Sequence, residues 1–157
     1  MKKRGDRMNE KQSIYTLTIS TPNGVIDIPI RHRVVNKNDD NMQTTISLTI
    51  EGREMCFNAE TTEKVLIKFA KSLPAGWSIQ SCLSCRYGHF CPTGNADNEL
   101  FCVTKFEPQE ISDLWQVTED VVERSKRNKN LFHLCDQYAP QTDDYFTYSD
   151  YYSEVDR

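Results

Sequence analysis

Along residues 13–20 apolar and polar side chains alternate: Tyr15, Leu17 and Ile19 fall on one side of an extended chain, Thr16 and Thr18 on the other. A period of two of this kind predicts a strand with one buried face. The run "TPNG" (21–24) follows, where proline pre-sets φ and Asn-Gly tolerates positive φ. A hairpin into a second strand, 25–35, is the consequence. That strand sets Ile26, Ile28, Ile30, His32 and Val34 on one face, and Pro29, which has no N–H for a ladder, points to an edge position. His32 is expected inside, as a hydrogen-bonded core residue. After a polar loop (36–43), Ile46, Leu48 and Ile50 alternate, and "EGR" (51–53) reverses the chain into a short fourth strand, 54–58. Cys56 on that strand reads as a small, buried or half-buried thiol.

The period then changes. Val65, Leu66, Phe69 and Leu73 recur at helical spacing, Thr61 or Thr62 serves as cap, and Pro74 with Gly76 stops the helix. One helix against a meander of about four antiparallel strands is an α+β scaffold. Further on, Ser112 caps a second helical pattern carrying Leu114, Val117, Val121 and Val122, with acids early and Arg124, Lys126 and Arg127 late, as the helix dipole favours. Leu131, Phe132, Leu134 and Tyr138 predict one more helix returning to the core.

Composition narrows the function classes. At 157 residues the chain is one domain with a tail, and its 38% hydrophobic content gives a thin core by the standard of soluble domains. Of its net charge of −4, all lies in the segment 142–157, which holds five acids and one base and is rich in tyrosine; the rest is neutral. A pI near 5.4 argues against a dedicated nucleic-acid binder. The organisation expected is a polar lead (1–12), a single domain (13–140) and an acidic, Tyr-rich tail (141–157). No run of about 18 apolar residues and no signal-peptide-like segment is present, so a cytoplasmic protein is expected, with no membrane partner.

In a reducing cytosol, clustered cysteines argue for a metal rather than for disulfides. Cys82, Cys85, Cys91 and Cys102 lie within a segment (77–106) that follows the helix. Two residues between thiolates let both sulfurs face one ion while backbone N–H groups turn toward them, so Cys82 and Cys85 form a zinc-knuckle-like pair. Gly88 suits the turn that leaves the pair, and Pro92 with Gly94 shapes a corner after Cys91. The expected centre is therefore a zinc ion on Cys82, Cys85, Cys91 and Cys102, with His89 and Cys135 as alternative ligands. An iron–sulfur cluster is the minor alternative, although neither ferredoxin spacing is present.

The pattern CxxCxYGxFxPxG, a polar stretch and then FC (Cys82, Cys85, Tyr87, Gly88, Phe90, Pro92, Gly94, Phe101, Cys102) resembles one found in small bacterial cysteine-rich proteins of uncharacterised function. The resemblance covers about a sixth of the chain and implies that the segment is a unit. The function expected is a non-enzymatic, zinc-stabilised protein-interaction module, since four sulfurs leave no coordination site for water. The competing readings are a nucleic-acid-associated zinc protein, contacting through Arg124, Lys126, Arg127 and Lys129 with Lys2, Lys3 and Arg4, and an iron–sulfur or redox thiol protein.

Overall fold

A computed structural model describes residues 9–36 and 41–155. Two strands, β1 (Asn9–Thr21) and β2 (Gly24–Asn36), form a long antiparallel hairpin closed by the turn at Pro22 and Asn23. In it Asn9–Gln12 is already paired, so the strand begins inside the stretch expected to be a polar lead; Lys2, Lys3 and Arg4 lie outside the described residues. The third strand, β3 (Met42–Ile50), joins β2 only from Arg31 onward, and β4 (Arg53–Ala59) pairs with β3. Pro29, paired with Thr16 on the β1 side, thus has no β3 neighbour opposite it. The strand is interior but the half that carries its proline is not, which is why the missing N–H is tolerated. Glu51 and Gly52 turn β3 into β4 with positive φ at both positions (50° and 77°), the geometry that matches strand twist in a two-residue hairpin.

The sheet has five strands rather than four, in the order β4-β3-β2-β1-β5. Its extra member, β5 (Ser78–Gln80), pairs with β1 at Thr18, Ile19 and Ser20. Residues 76–80 read in the sequence as a short extended piece leading to Cys82, and the structure pairs three of them with β1.

The first helix, α1 (Thr62–Ser72), covers the sheet. The Thr61 side chain accepts the Lys64 N–H at its start, and Val65, Leu66, Phe69 and Ala70 face inward at the spacing expected. Leu17, Ile19, Ile30 and Ile46 from the sheet meet Leu66 and Phe69, all with no solvent exposure. Phe57 packs edge-on to Phe69 at 5.5 Å between ring centres. At roughly 1.5–3 kcal/mol for each fully buried large aliphatic or aromatic side chain, this layer dominates the apolar stabilisation.

The second half is built on a small antiparallel sheet, order β6-β7-β8, from β6 (Gly88–His89), β7 (Leu100–Cys102) and β8 (Asn128–Lys129). Between β7 and β8 run α2 (Ile111–Glu119) and α3 (Val121–Arg127). The sequence pattern gave one helix starting at Ser112; the structure starts it earlier, with the Asp113 carboxylate accepting the Gln109 and Glu110 N–H groups, and breaks it at Asp120. Asp120 is extended and its carboxylate takes the Val122 and Glu123 N–H groups, so a residue suited to capping divides the run. The helix expected over 131–138 is replaced by turns: the Leu131 N–H donates to the Asn98 side chain, the Phe132 N–H to that of Asn130, and the His133 carbonyl accepts from Cys82. The tail is docked: α4 (Tyr151–Val155) buries Tyr151 in the main core, and Glu154 lies 3.3 Å from Lys71 of α1. Among the described residues no helix is long and apolar enough to cross a membrane.

Candidate metal centre

The segment after β5 folds as a pair of nested turns. The Cys85 N–H donates to the Cys82 carbonyl (3.4 Å) and the Gly88 N–H to the Cys85 carbonyl (3.1 Å), which wraps the chain about one point. Gly88 is required by contact rather than by conformation: a Cβ there would stand 2.1 Å from the Cys82 carbonyl oxygen. Ser84 locks the turn from within, its hydroxyl donating to the Ile79 carbonyl at 2.8 Å. Cys82 and Cys85 are both buried, each 6% exposed.

The small sheet then sorts the remaining candidates by face. Gly88 pairs with Cys102, and His89 with Phe101. Alternation along β7 puts Leu100 and Cys102 on one side and Phe101 on the other. Leu100 joins the main core together with Cys82 and Leu83, whereas Phe101 and Val103 form a second apolar cluster with Cys91 and Leu114. Cys91 therefore belongs to the opposite face of the sheet from Cys102. Its sulfur sits 3.1 Å from the Thr93 hydroxyl, and its N–H donates to the Asn95 side chain. Burial would raise this thiol, but hydrogen bonds from Thr93 and the nearby Arg124 and Thr118 outweigh it and hold the pKa below the ordinary value.

His89 lies on that same face, its ring 6.2 Å from Phe101 and 6.1 Å from Phe146. Its Nδ1 accepts the Tyr148 N–H (2.9 Å), which leaves the proton on Nε2, a buried atom with no hydrogen-bond partner. Burial pushes the pKa down to about 4, so the ring is neutral.

The segment that was expected to be a helix comes to the cysteine pair instead. The Cys82 N–H donates to the His133 carbonyl (2.7 Å), the Arg86 N–H to the Ala139 carbonyl (2.8 Å), and Cys85 bridges to Pro140. Cys135 is carried in between, half-buried. Burial first, then the neighbouring thiols of Cys85, Cys102 and Cys135, push the Cys82 pKa up to about 12, with Lys129 pulling the other way. Burial also raises Cys85, against the pull of the Ala139 and Tyr87 N–H groups aimed at its sulfur, and Cys102 and Cys135 add to the rise. Cys102 and Cys135 thus both lie within electrostatic reach of Cys82 and Cys85. The spacing along the chain had singled out Cys91 in place of Cys135.

All six cysteines are free thiols, and among the described residues no three His, Cys, Asp or Glu side chains stand in a ready metal-holding arrangement. The chemistry of the donors nevertheless suits a thiophilic ion: Cys82 and Cys85 are two buried sulfurs two residues apart, the Ala139 and Tyr87 N–H groups point at one of them, and the Lys129 ammonium is at hand. A cation would reverse the burial penalty that now keeps Cys82 protonated.

The other residues expected to touch ligands are engaged within the fold. Arg124 donates to the Gly94 carbonyl (3.3 Å), Arg127 to the Cys102 carbonyl (3.0 Å), and Lys126 lies 3.5 Å from Glu123. Lys129 lines a cavity of about 810 Å³ with Tyr15, His32, Asp97 and Asn98. The buried His32 is hydrogen-bonded as expected, but its network was not legible in the sequence. Nε2 lies 2.8 Å from the Thr62 hydroxyl, which donates to Asp97 (2.6 Å), and the Thr62 N–H donates to the same carboxylate (2.8 Å). Because the Thr62 proton goes to Asp97, its oxygen accepts from His32. Asp97 thereby fastens the loop before β7 to the first turn of α1. Comparison of the chain with family models, with curated proteins and with solved structures gives no match.

Proposed function

We propose that the protein is a non-enzymatic interaction module whose second half is stapled by a structural zinc ion on buried thiolates, Cys82 and Cys85 first among them. The observation that carries this reading is the wrapped Cys-x2-Cys turn, closed over Gly88, whose pairing partner on β7 is Cys102. Apparent zinc binding of roughly 10–16 kcal/mol in small structural sites is as large as the whole stability of a domain, about 5–15 kcal/mol. A thiolate shell filled by protein supports a structural rather than a catalytic ion.

The interaction reading draws on the surface. Ile111, Trp115, Val121 and Val122 are 41%, 50%, 74% and 63% exposed on α2 and the start of α3. Solvent-facing apolar side chains in such succession favour a protein partner. Elemental analysis of the protein purified without oxygen is expected to find zinc and no iron, one ion per chain, and Cys82→Ser to lose it; a metal-free wild-type chain overturns the staple. For the surface, Trp115→Ser is expected to abolish capture of partners that the wild type retains, with the fold intact by circular dichroism. Equal capture by both refutes this face.

A further inference from the structure

We propose that Cys135 is the ligand that closes this centre, so that the ion latches the C-terminal strap (residues 133–155) onto the Cys82–Cys85 turn. The inference rests on the zinc reading above. It assigns the ion a job that the spacing of the cysteine segment does not suggest: joining distant parts of the chain rather than closing one local loop.

The path of the strap is the first argument. Leu131 and Phe132 are anchored in the main core, 1% and 2% exposed. From there the chain first meets Cys82 and then, over residues 139–141, runs antiparallel to residues 84–86. His133 bonds to Cys82, Ala139 to Arg86, Pro140 bridges to Cys85, and the Gln141 N–H donates to the Ser84 carbonyl (3.3 Å). The Gln141 side chain adds a bond from Nε2 to the Leu83 carbonyl (3.0 Å). Between the first and second of these anchors Cys135 sits in a turn closed by the Tyr138 N–H on its own carbonyl (3.2 Å). No residue from 133 to 140 is fully buried. Hydrogen bonds to the cysteine turn hold this half-exposed stretch, and a bond from Cys135 to a shared ion would add to them.

The second argument excludes the competitor. Cys91 packs with Phe101 and Val103, on the face of β7 opposite Cys102, with β7 itself in between. No rotation about χ1 carries a sulfur through a strand, whereas a change of χ1 well moves one by roughly 3 Å on its own side. Closing a shell at Zn–S near ~2.3 Å requires such movements, since among the described residues no three of these side chains stand ready for an ion. The Tyr138 hydroxyl, 3.2 Å from that of Ser84, brings the far end of the Cys135 turn to the same cysteine turn. Four thiolates on a divalent ion leave a double negative charge. Lys129, within electrostatic reach of Cys82, and the Tyr87 and Ala139 N–H groups directed at Cys85 offset it; Ala139 is itself part of the strap.

The test is cobalt substitution of the full chain, read by the thiolate charge-transfer and ligand-field bands, on the wild type, Cys91→Ser, Cys135→Ser and Cys135→His. The wild type and Cys91→Ser are expected to give the same four-sulfur spectrum. Cys135→Ser loses that spectrum, and protease then removes the strap from it faster than from the wild type. Cys135→His guards against a variant that fails to fold, because it keeps a ligand and shifts the bands to three sulfurs and one nitrogen. A four-sulfur spectrum in either Cys135 variant, or its loss in Cys91→Ser, overturns the assignment. A wild-type chain that takes up no cobalt and contains no zinc overturns the staple itself, a result distinct from the others.

Discussion

Acidification from pH 7 to pH 5 is expected to remove about 2 kcal/mol of folding free energy through His89 alone. The imidazole is fully buried against Phe101 and Phe146, Nδ1 is occupied by the Tyr148 N–H, and Nε2 has no partner that could accept from a charged ring. Burial accordingly depresses its pKa from 6.5 to about 4. A basic group with a depressed folded pKa stabilises the fold in full above the unfolded value and loses that contribution as pH falls toward the folded one, since the unfolded chain takes up the proton first. Two and a half pKa units correspond to about 3 kcal/mol in total, of which about 2 kcal/mol falls between pH 7 and pH 5. Against a total of about 5–15 kcal/mol this is a large share. His32, lowered chiefly by burial, acts with the same sign, whereas burial raises Glu63, which therefore opposes them by favouring the fold as pH falls. Urea unfolding at the two pH values measures the loss. Proton-driven release of a metal would also weaken the fold, so the deciding measurement is an NMR titration of the His89 ring in the folded protein. A ring that titrates near 6.5 refutes the burial argument, whatever the unfolding curves show.

Three substitutions probe the supports of the site. Gly88→Ala places a Cβ against the Cys82 carbonyl, a backbone atom that yields only if the cysteine turn shifts; a loss of about 2 kcal/mol or more and weakened metal uptake are expected, and a neutral effect in denaturant unfolding refutes the contact. Thr62→Val keeps the shape but strands the His32 N–H and one Asp97 oxygen, at about 1–3 kcal/mol; stability equal to wild type would show that the network adds nothing net. Tyr151→Ala empties a core position filled by the tail and is expected to cost about 3 kcal/mol and to expose the strap to protease, and unchanged cleavage at the strap would mean that the tail is held elsewhere.

Much of the first half of the molecule is written locally. Alternation at Leu17 and Ile19, at Ile28 and Ile30 and at Ile46 and Leu48 places each strand's inner face, because the period of a strand depends on near neighbours alone. The same holds for Val65, Leu66 and Phe69 on α1, and for the pairing of Cys82 with Cys85, whose separation fixes how near two sulfurs can come. Other features depended on partners remote in sequence. Ser78–Gln80 pairs because β1 offers it an edge, and 131–138 gives up its helical pattern where Asn98, Asn130 and the Cys82 N–H take up the peptide groups of Leu131, Phe132 and His133. Cys91 and Cys135 show the limit most plainly. Cys91 is the nearer in sequence to Cys85, but distance along the chain carries no information about which face of β7 a sulfur reaches. The pairing of Gly88 with Cys102 and the return of the strap across Cys82 and Cys85 decide that, and only the packed chain brings them about.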